Sequence, residues 1–352
     1  MGGKDLGFTS EKVESVEELL VKIAEKHPIE LEKKINTLNK PLILECACPG
    51  WQPKYWGPPR AYPVELPPGY KEGGIRYPAV PCSIEEQVQT IIEAVKVGTA
   101  AVHIHPRDPK DCLATIDDVQ LLKQVYDKIF EQADVISLQH TWQRTEKGEV
   151  EYVGSFAKEM IKAGNGNRYC QGAVVLWPPA DAYPPQYIKY VQAGIRFMEE
   201  HDIKPIHKLR SSYGVRQLQR VLIDTKVMVK KPYVLVHDMG HPFGWPMDLD
   251  PWMPIDLITS IVQTKQRIGD EHVIGVFSGG RNWMPITMTA ILAGVDFVRV
   301  GIEDCYWMYP HKDEVIKSNI EAVRKITDFC NLIGRRIAGV DEARKILGIK
   351  KP

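Results

Sequence analysis

Two histidines one residue apart carry the clearest chemical signal, in the run AAVHIHPRD at 100–108. In an extended segment side chains alternate between faces, so His103 and His105 point the same way. Two imidazoles on one face can share a divalent cation, and nitrogen donors suit zinc. Taken alone, the pair fits hydrogen-bonded structural histidines better than a metal site. A second cluster stands at 297–304, FVRVGIED, where an apolar run ends in Arg299, Glu303 and Asp304. Glu303 can complete a His2Glu set with one coordination position open, the pattern of catalytic zinc. Arg299 and Asp304 can pair, which lowers the cost of burying either charge. A surface ion-pair cluster is the alternative for these three residues.

Other residues extend the set. His140, His207, His237 and His241 are each candidates for a general base, because a free imidazole titrates near about pH 6.5. The adjacent His237 and Asp238 are the pair of first interest. Ser278-Gly279-Gly280-Arg281 forms a small glycine turn whose donors can meet a phosphate or a carboxylate; a plain tight turn is the competing reading. Trp51, Trp56, Trp142 and Trp177 can line an apolar or cationic pocket, or pack beneath a loop.

These residues need a scaffold, and the hydrophobic pattern supplies one. Eight short apolar runs occur at 42–47, 100–104, 135–138, 173–176, 205–209, 233–236, 273–277 and 297–300, with amphipathic stretches such as 83–97 and 255–268 between them. Strands alternating with helices predict a (β/α)8 TIM barrel occupying 41–352. A doubly wound open sheet is disfavoured by the lack of a glycine-rich phosphate fingerprint after the first strand. Residues 1–40 read as an N-terminal helical extension, in which Ser15 and Glu18 form a capping box. Two irregular segments follow the first and sixth strands. The first, 49–81, holds nine prolines and six aromatics and is too long for a plain connection. Oligomer contact is the alternative to a functional role for it. Both segments leave the strand ends where such barrels keep active sites.

Composition narrows the function classes. In 352 residues, 45 basic side chains balance 45 acidic ones, so no basic stripe supports a nucleic-acid partner. No apolar run approaches the roughly 20 residues of a membrane span. The first residues lack a signal-peptide layout, and the seven cysteines, odd in number and without framework spacing, read as reduced thiols of a cytoplasmic protein.

With PLILECACPG at 41–50, VPCSIEEQ at 80–87, AAVHIHPRD at 100–108, FVRVGIEDC at 297–305 and IGRRIAGVDEARKIL at 333–347, the chain resembles the β-keto acid cleavage enzymes. The resemblance implies a zinc-dependent barrel that transfers an acyl group between a 3-keto acid and acetyl-CoA, giving acetoacetate and a new CoA thioester. It implies His103, His105 and Glu303 as ligands of Zn2+, Arg299 and Asp304 as catalytic residues, and a homo-oligomer, tetramer or dimer.

The substrate-facing positions depart from that pattern. Gln52 stands at an acidic position of the family, and an amide cannot take up a proton as a carboxylate does. Gln139-His140-Thr141-Trp142 replaces a small Ser-Thr-Gly-Gly stretch. Thr141 there supplies the hydroxyl and joins His237 as a catalytic candidate. Gln52, His140, Trp142, Ser278, Gly279 and Arg281 form the expected substrate-binding set. Two rival functions follow from the same residues. An amidohydrolase-like hydrolase would use His103, His105, His207, His237 and Asp304. A barrel that binds metal and ligand without turnover is the other.

Overall fold

The computed structural model describes residues 15–26, 36–48, 80–108, 110, 118–140, 143–144, 150–151, 158, 161, 166–176, 185–209, 212–239, 253–269, 271–305, 307–312 and 314–352. Gln52, Thr141, Trp142, His241 and most of the segment 49–81 lie outside them, as do Trp51, Trp56 and Trp177.

The chain divides into two compact units, Met1–Asn36 and Thr37–Pro352. In the first, α1 (Val16–Lys26) begins at the capping box expected from its sequence. The Glu18 amide donates to Ser15 Oγ and the Ser15 amide to the Glu18 carboxylate, both at 3.1 Å.

The second unit is a closed barrel of eight parallel strands. They are β1 (Ile43–Ala47), β2 (Ala101–His103), β3 (Ile136–His140), β4 (Gly172–Leu176), β5 (Lys204–Leu209), β6 (Tyr233–Met239), β7 (His272–Ser278) and β8 (Phe297–Val300). Each pairs with its sequence neighbour, and β8 closes onto β1 with Glu45 opposite Arg299. The principal helices of this unit are α2 (Ile84–Lys96), α3 (Val119–Phe130), α4 (Pro185–Glu200), α5 (Ser212–Leu218), α6 (Met253–Ile268), α7 (Trp283–Leu292), α8 (Asn319–Leu332) and α9 (Val340–Leu347). The eight strands and their intervening helices match the periodicity. At α2, Ser83 and Glu86 form a second capping box. Among the described residues no helix is long and apolar enough to cross a membrane.

Strand side chains split by parity into two environments. Ile43, Ala101, Ile136, Leu138, Val174, Ile206, Val234, Val236, Val273, Phe277 and Phe297 fill the barrel interior. The alternate residues, such as Leu44, Cys46, Val102, Val298 and Leu235, pack outward against the helices. Both faces are apolar, as expected of a parallel sheet covered on each side.

The C-terminal segment shuts the N-terminal end of the barrel. Leu347 and Ile349 join the interior cluster there. Arg344, 3% exposed, donates to Asp134 at 2.5 and 2.6 Å and to Gln171 Oε1 at 3.1 Å, next to the starts of β3 and β4. Arg335 donates to three carbonyls, those of Lys40, Ile291 and Val295. Arg335 and Arg344 of the 333–347 motif therefore serve the scaffold, holding shut the end opposite the metal-ligand candidates.

Five cysteines, 46, 48, 170, 305 and 330, are free and buried, in line with reduced thiols. Cys82 departs from that expectation: it is disulfide-bonded, and its partner lies outside the described residues.

Candidate metal and acid–base site

Barrel closure brings β2 and the turn after β8 to the two sides of β1. His103 ends β2, His105 follows two residues later, and Glu303 lies in the turn after β8; all three are buried. The two Nε2 atoms stand 3.0 Å apart. Glu303 Oε2 is 3.4 Å from His103 Nε2, and Oε1 is 3.8 Å from His105 Nε2. Donor separations of this order match those around a tetrahedral zinc with bonds of about 2.0–2.2 Å.

Tautomer and charge agree with ligation. His103 Nδ1 lies 2.8 Å from the Leu138 carbonyl oxygen, so it donates there and leaves the Nε2 lone pair facing its partners. Burial pushes His103 down to about 3, which keeps the imidazole neutral. Burial works against ionisation of Glu303, but Arg299, His103 and His105 together hold its carboxyl well below the usual range. The residues present thus fit a divalent cation: two imidazole nitrogens and one carboxylate converge, with a fixed outer hydrogen bond on His103.

Arg299 and Asp304 are brought together as their spacing allowed. Arg299 Nε donates to Asp304 Oδ2 at 2.8 Å, and one terminal nitrogen donates to Asp304 Oδ1 at 2.6 Å and to Glu303 Oε1 at 3.3 Å. The guanidinium lies 4.4 Å from the Phe277 ring centroid. Burial opposes its charge, yet Asp304, Glu303 and Glu45 keep it protonated. Burial moves Asp304 up to about 6 against the pull of Arg299, so it remains ionised at neutral pH. A bidentate fork of this kind fixes orientation as well as charge.

The cross-strand register adds Glu45, Phe277 and Lys208, which the motif reading missed. Glu45, Arg299, Phe277 and Asp238 follow one another across β1, β8, β7 and β6, on inward-facing positions. Lys208 of β5 reaches Asp238 Oδ2 at 3.2 Å. Glu45 is fully buried, and burial first of all, against the pull of Arg299, pushes its carboxyl up to about 8. For Glu45 and Lys208 the available signal was a single charged residue inside each of two apolar runs, PLILECA and PIHKL.

Several expected participants lie elsewhere. His207 and His237 occupy outward positions on β5 and β6. His237 Nε2 is 3.2 Å from Thr264 Oγ1 on α6, whose hydroxyl donates to the Ser260 carbonyl; the imidazole therefore serves as donor. Burial pushes His207 to about 3 and His237 to about 4. His237 is thus not a group of the mouth, and in the His237-Asp238 pair only Asp238 faces inward. The amidohydrolase alternative fails with it, because two of its histidines face the helices.

The glycine turn is also committed within the fold. Ser278 Oγ bonds Thr287 Oγ1 at 2.5 Å and the Trp283 carbonyl at 3.0 Å. The Gly279 amide donates to Met239 O and the Gly280 amide to Asp304 O. These bonds tie the turn to the end of β6, to α7 and to the loop after β8. Arg281 stacks 3.9 Å from the Trp307 ring centroid and donates to the Lys312 carbonyl. His140 is the last residue of β3.

Comparison with known proteins agrees with this geometry. A family model described as beta-keto acid cleavage enzyme matches residues 69–349. The chain is 24% identical to the 3-dehydrocarnitine:acetyl-CoA trimethylamine transferase of Rhizobium meliloti (strain 1021), over 77% of this chain and 91% of that protein. It is 25% identical to the 3-keto-5-aminohexanoate cleavage enzyme of Fusobacterium nucleatum subsp. nucleatum, over 78% and 92% respectively. Among solved structures, apo ObcA superposes with a TM-score of 0.58 at 14% identity, over 77% of this chain and 66% of that one, a likeness of fold. With the family model spanning nearly the whole barrel and the two clusters meeting at its mouth, the chain belongs to the β-keto acid cleavage enzymes.

Proposed function

We propose that this protein is a zinc-dependent acyltransferase that converts a 3-keto acid and acetyl-CoA into acetoacetate and a new acyl-CoA. The observation that carries the reading is the convergence of His103, His105 and Glu303, with His103 held in the ligand tautomer, beside the Arg299–Asp304 fork. Those three side chains would hold the cation. When bound, it would supply Lewis acidity that draws charge onto a keto oxygen.

The remaining residues do separate work. Arg299, locked by Asp304, presents a fixed positive charge to a substrate carboxylate or a developing oxyanion. It does not act as a proton acceptor, since guanidinium keeps its proton above about pH 12. The Lys208–Asp238 pair and Phe277 shape the opposite wall and bear on which keto acid fits. Gln52, Thr141, Trp142, His140 and Arg281 remain our proposed substrate-facing set.

Metal analysis and one assay test this. We expect His103→Ala and Glu303→Ala to lose bound zinc and His237→Ala to keep it. Zinc lost from His237→Ala and kept by Glu303→Ala would refute the site. Acetyl-CoA-dependent acetoacetate formation, followed across a panel of 3-keto acids, separates catalysis from ligand binding. A silent panel would favour the barrel without turnover.

A further inference from the structure

The barrel end opposite the metal-ligand candidates carries a second cluster of charge. Lys204, the first residue of β5, and Lys208 flank Ile206 on the same strand face, and Ile206 belongs to the interior cluster. Both lysines therefore leave the strand on its inward side, and both are more than nine-tenths buried. Lys208 has Asp238 for a partner. Lys204 Nζ has no hydrogen-bond or ion-pair partner among the described residues. Burial, against the pull of Glu199 and aided by Lys230, pushes Lys204 down to about 8, so it still carries its charge at pH 7. A buried ammonium without a partner costs stability, and an apolar side chain of the same length would fill the barrel floor without that cost.

The Lys204 ammonium is not sealed in. It opens on a cavity of about 330 Å3 that is also lined by Lys230, Lys231, Lys350, Asp202 and Gly348. Asp202 holds two of these lysines, Lys230 at 3.1 Å on one carboxylate oxygen and Lys350 at 2.9 Å on the other. Lys231 pairs with Glu271. Glu199, at the end of α4, accepts from the backbone amides of Val229 and Lys230. Gly348 caps α9 at φ +66, and a Cβ there would stand 3.2 Å from Lys204 Nζ, so glycine leaves the ammonium uncovered. In and around the cavity four ammonium groups thus meet three carboxylates, and the ammonium left over is the buried one. A lysine that only carries its charge out to solvent needs no such company. No arginine lines the cavity, so the planar fork that selects a carboxylate is missing. Ammonium point charges suit the several charged oxygens of a phosphoryl group.

We propose that this cavity binds a phosphoryl oxyanion, either inorganic phosphate or the phosphate of a small monoester, with Lys204 as its central contact and Lys230 and Lys350 at its rim. The anion supplies the counter-charge that Lys204 lacks, and the cavity has room for a small organic group attached to the phosphate. The site stands at the N-terminal end of the barrel, away from His103, His105 and Glu303, and it does not depend on the transferase reading.

The test is calorimetric titration of the full-length, zinc-loaded protein at pH 7 and fixed ionic strength, with inorganic phosphate, glycerol phosphate and succinate in separate runs. Wild type should bind one phosphoryl group per chain. Lys204→Met should raise Kd at least tenfold, with zinc content kept and a melting temperature in phosphate-free buffer no lower than wild type. Glycerol phosphate binding tenfold tighter than inorganic phosphate would identify a phosphorylated small molecule as the ligand; equal or weaker binding would identify the free ion. Saturation by neither phosphate overturns the site, and so does a Kd for Lys204→Met within twofold of wild type, which would put the anion elsewhere. Succinate binding within threefold of phosphate overturns the phosphoryl assignment. Should Lys204→Met misfold, Lys350→Glu decides, since that side chain is largely exposed. A fivefold or greater loss of affinity supports the site, and affinity within twofold of wild type overturns it.

Discussion

Replacing Glu45 by glutamine should change the pH dependence of folding in a direction set by its burial. The carboxyl titrates near 4.5 when exposed and near 8 in the folded protein. A folded-state value above the unfolded one means that the native form holds a proton the unfolded chain has released. Wild-type stability therefore falls as pH rises from about 4.5 to about 8, and is level above that for this group. A tenfold change in proton affinity between the two states is worth about 1.4 kcal/mol. The burden on wild type is thus about 3 kcal/mol at pH 7 and at most about 5 kcal/mol above pH 8. Glutamine keeps the volume and cannot ionise, while its own unpaired amide costs about 1–3 kcal/mol at every pH. The difference between the variants as pH changes therefore isolates the carboxyl. Urea unfolding from pH 4.5 to 8.5, with a chelator present so that no cation adds charge, should show the Glu45→Gln advantage growing by several kcal/mol. A difference that stays flat within about 0.5 kcal/mol would refute the reasoning, because it would mean that Glu45 is solvated or paired.

Three further outcomes follow from the same geometry. Gly301→Ala places a Cβ against the Ala47 carbonyl at a left-handed φ and should destabilise by about 3 kcal/mol or more in denaturant titration. Asp304→Asn leaves Arg299 without its bidentate partner and should cost about 3–5 kcal/mol; a loss under 1 kcal/mol would show that the fork is not formed. His237→Gln should keep acyl-transfer activity within about threefold and lose about 1 kcal/mol through its Thr264 contact, as read by initial rates and thermal melts.

The amino-acid sequence by itself determined the barrel and the metal-ligand candidates. Alternating apolar runs and amphipathic stretches specify strand and helix, and the capping boxes at Ser15 and Ser83 mark two helix starts from local chemistry alone. Period two forces His103 and His105 to one face wherever the strand lies. What only the tertiary structure decided is which face of each strand looks inward. In this barrel both faces are apolar, so alternation carries no polar mark of the interior. His237 and Asp238 are equally plausible in sequence, yet one meets α6 and the other meets Lys208. Glu45 sits among Leu44 and Cys46, and only closure of β1 against β8 sets it opposite Arg299. The ring of Glu45, Arg299, Phe277, Asp238 and Lys208 spans about 250 residues of chain, and register, which no local pattern encodes, assembles it.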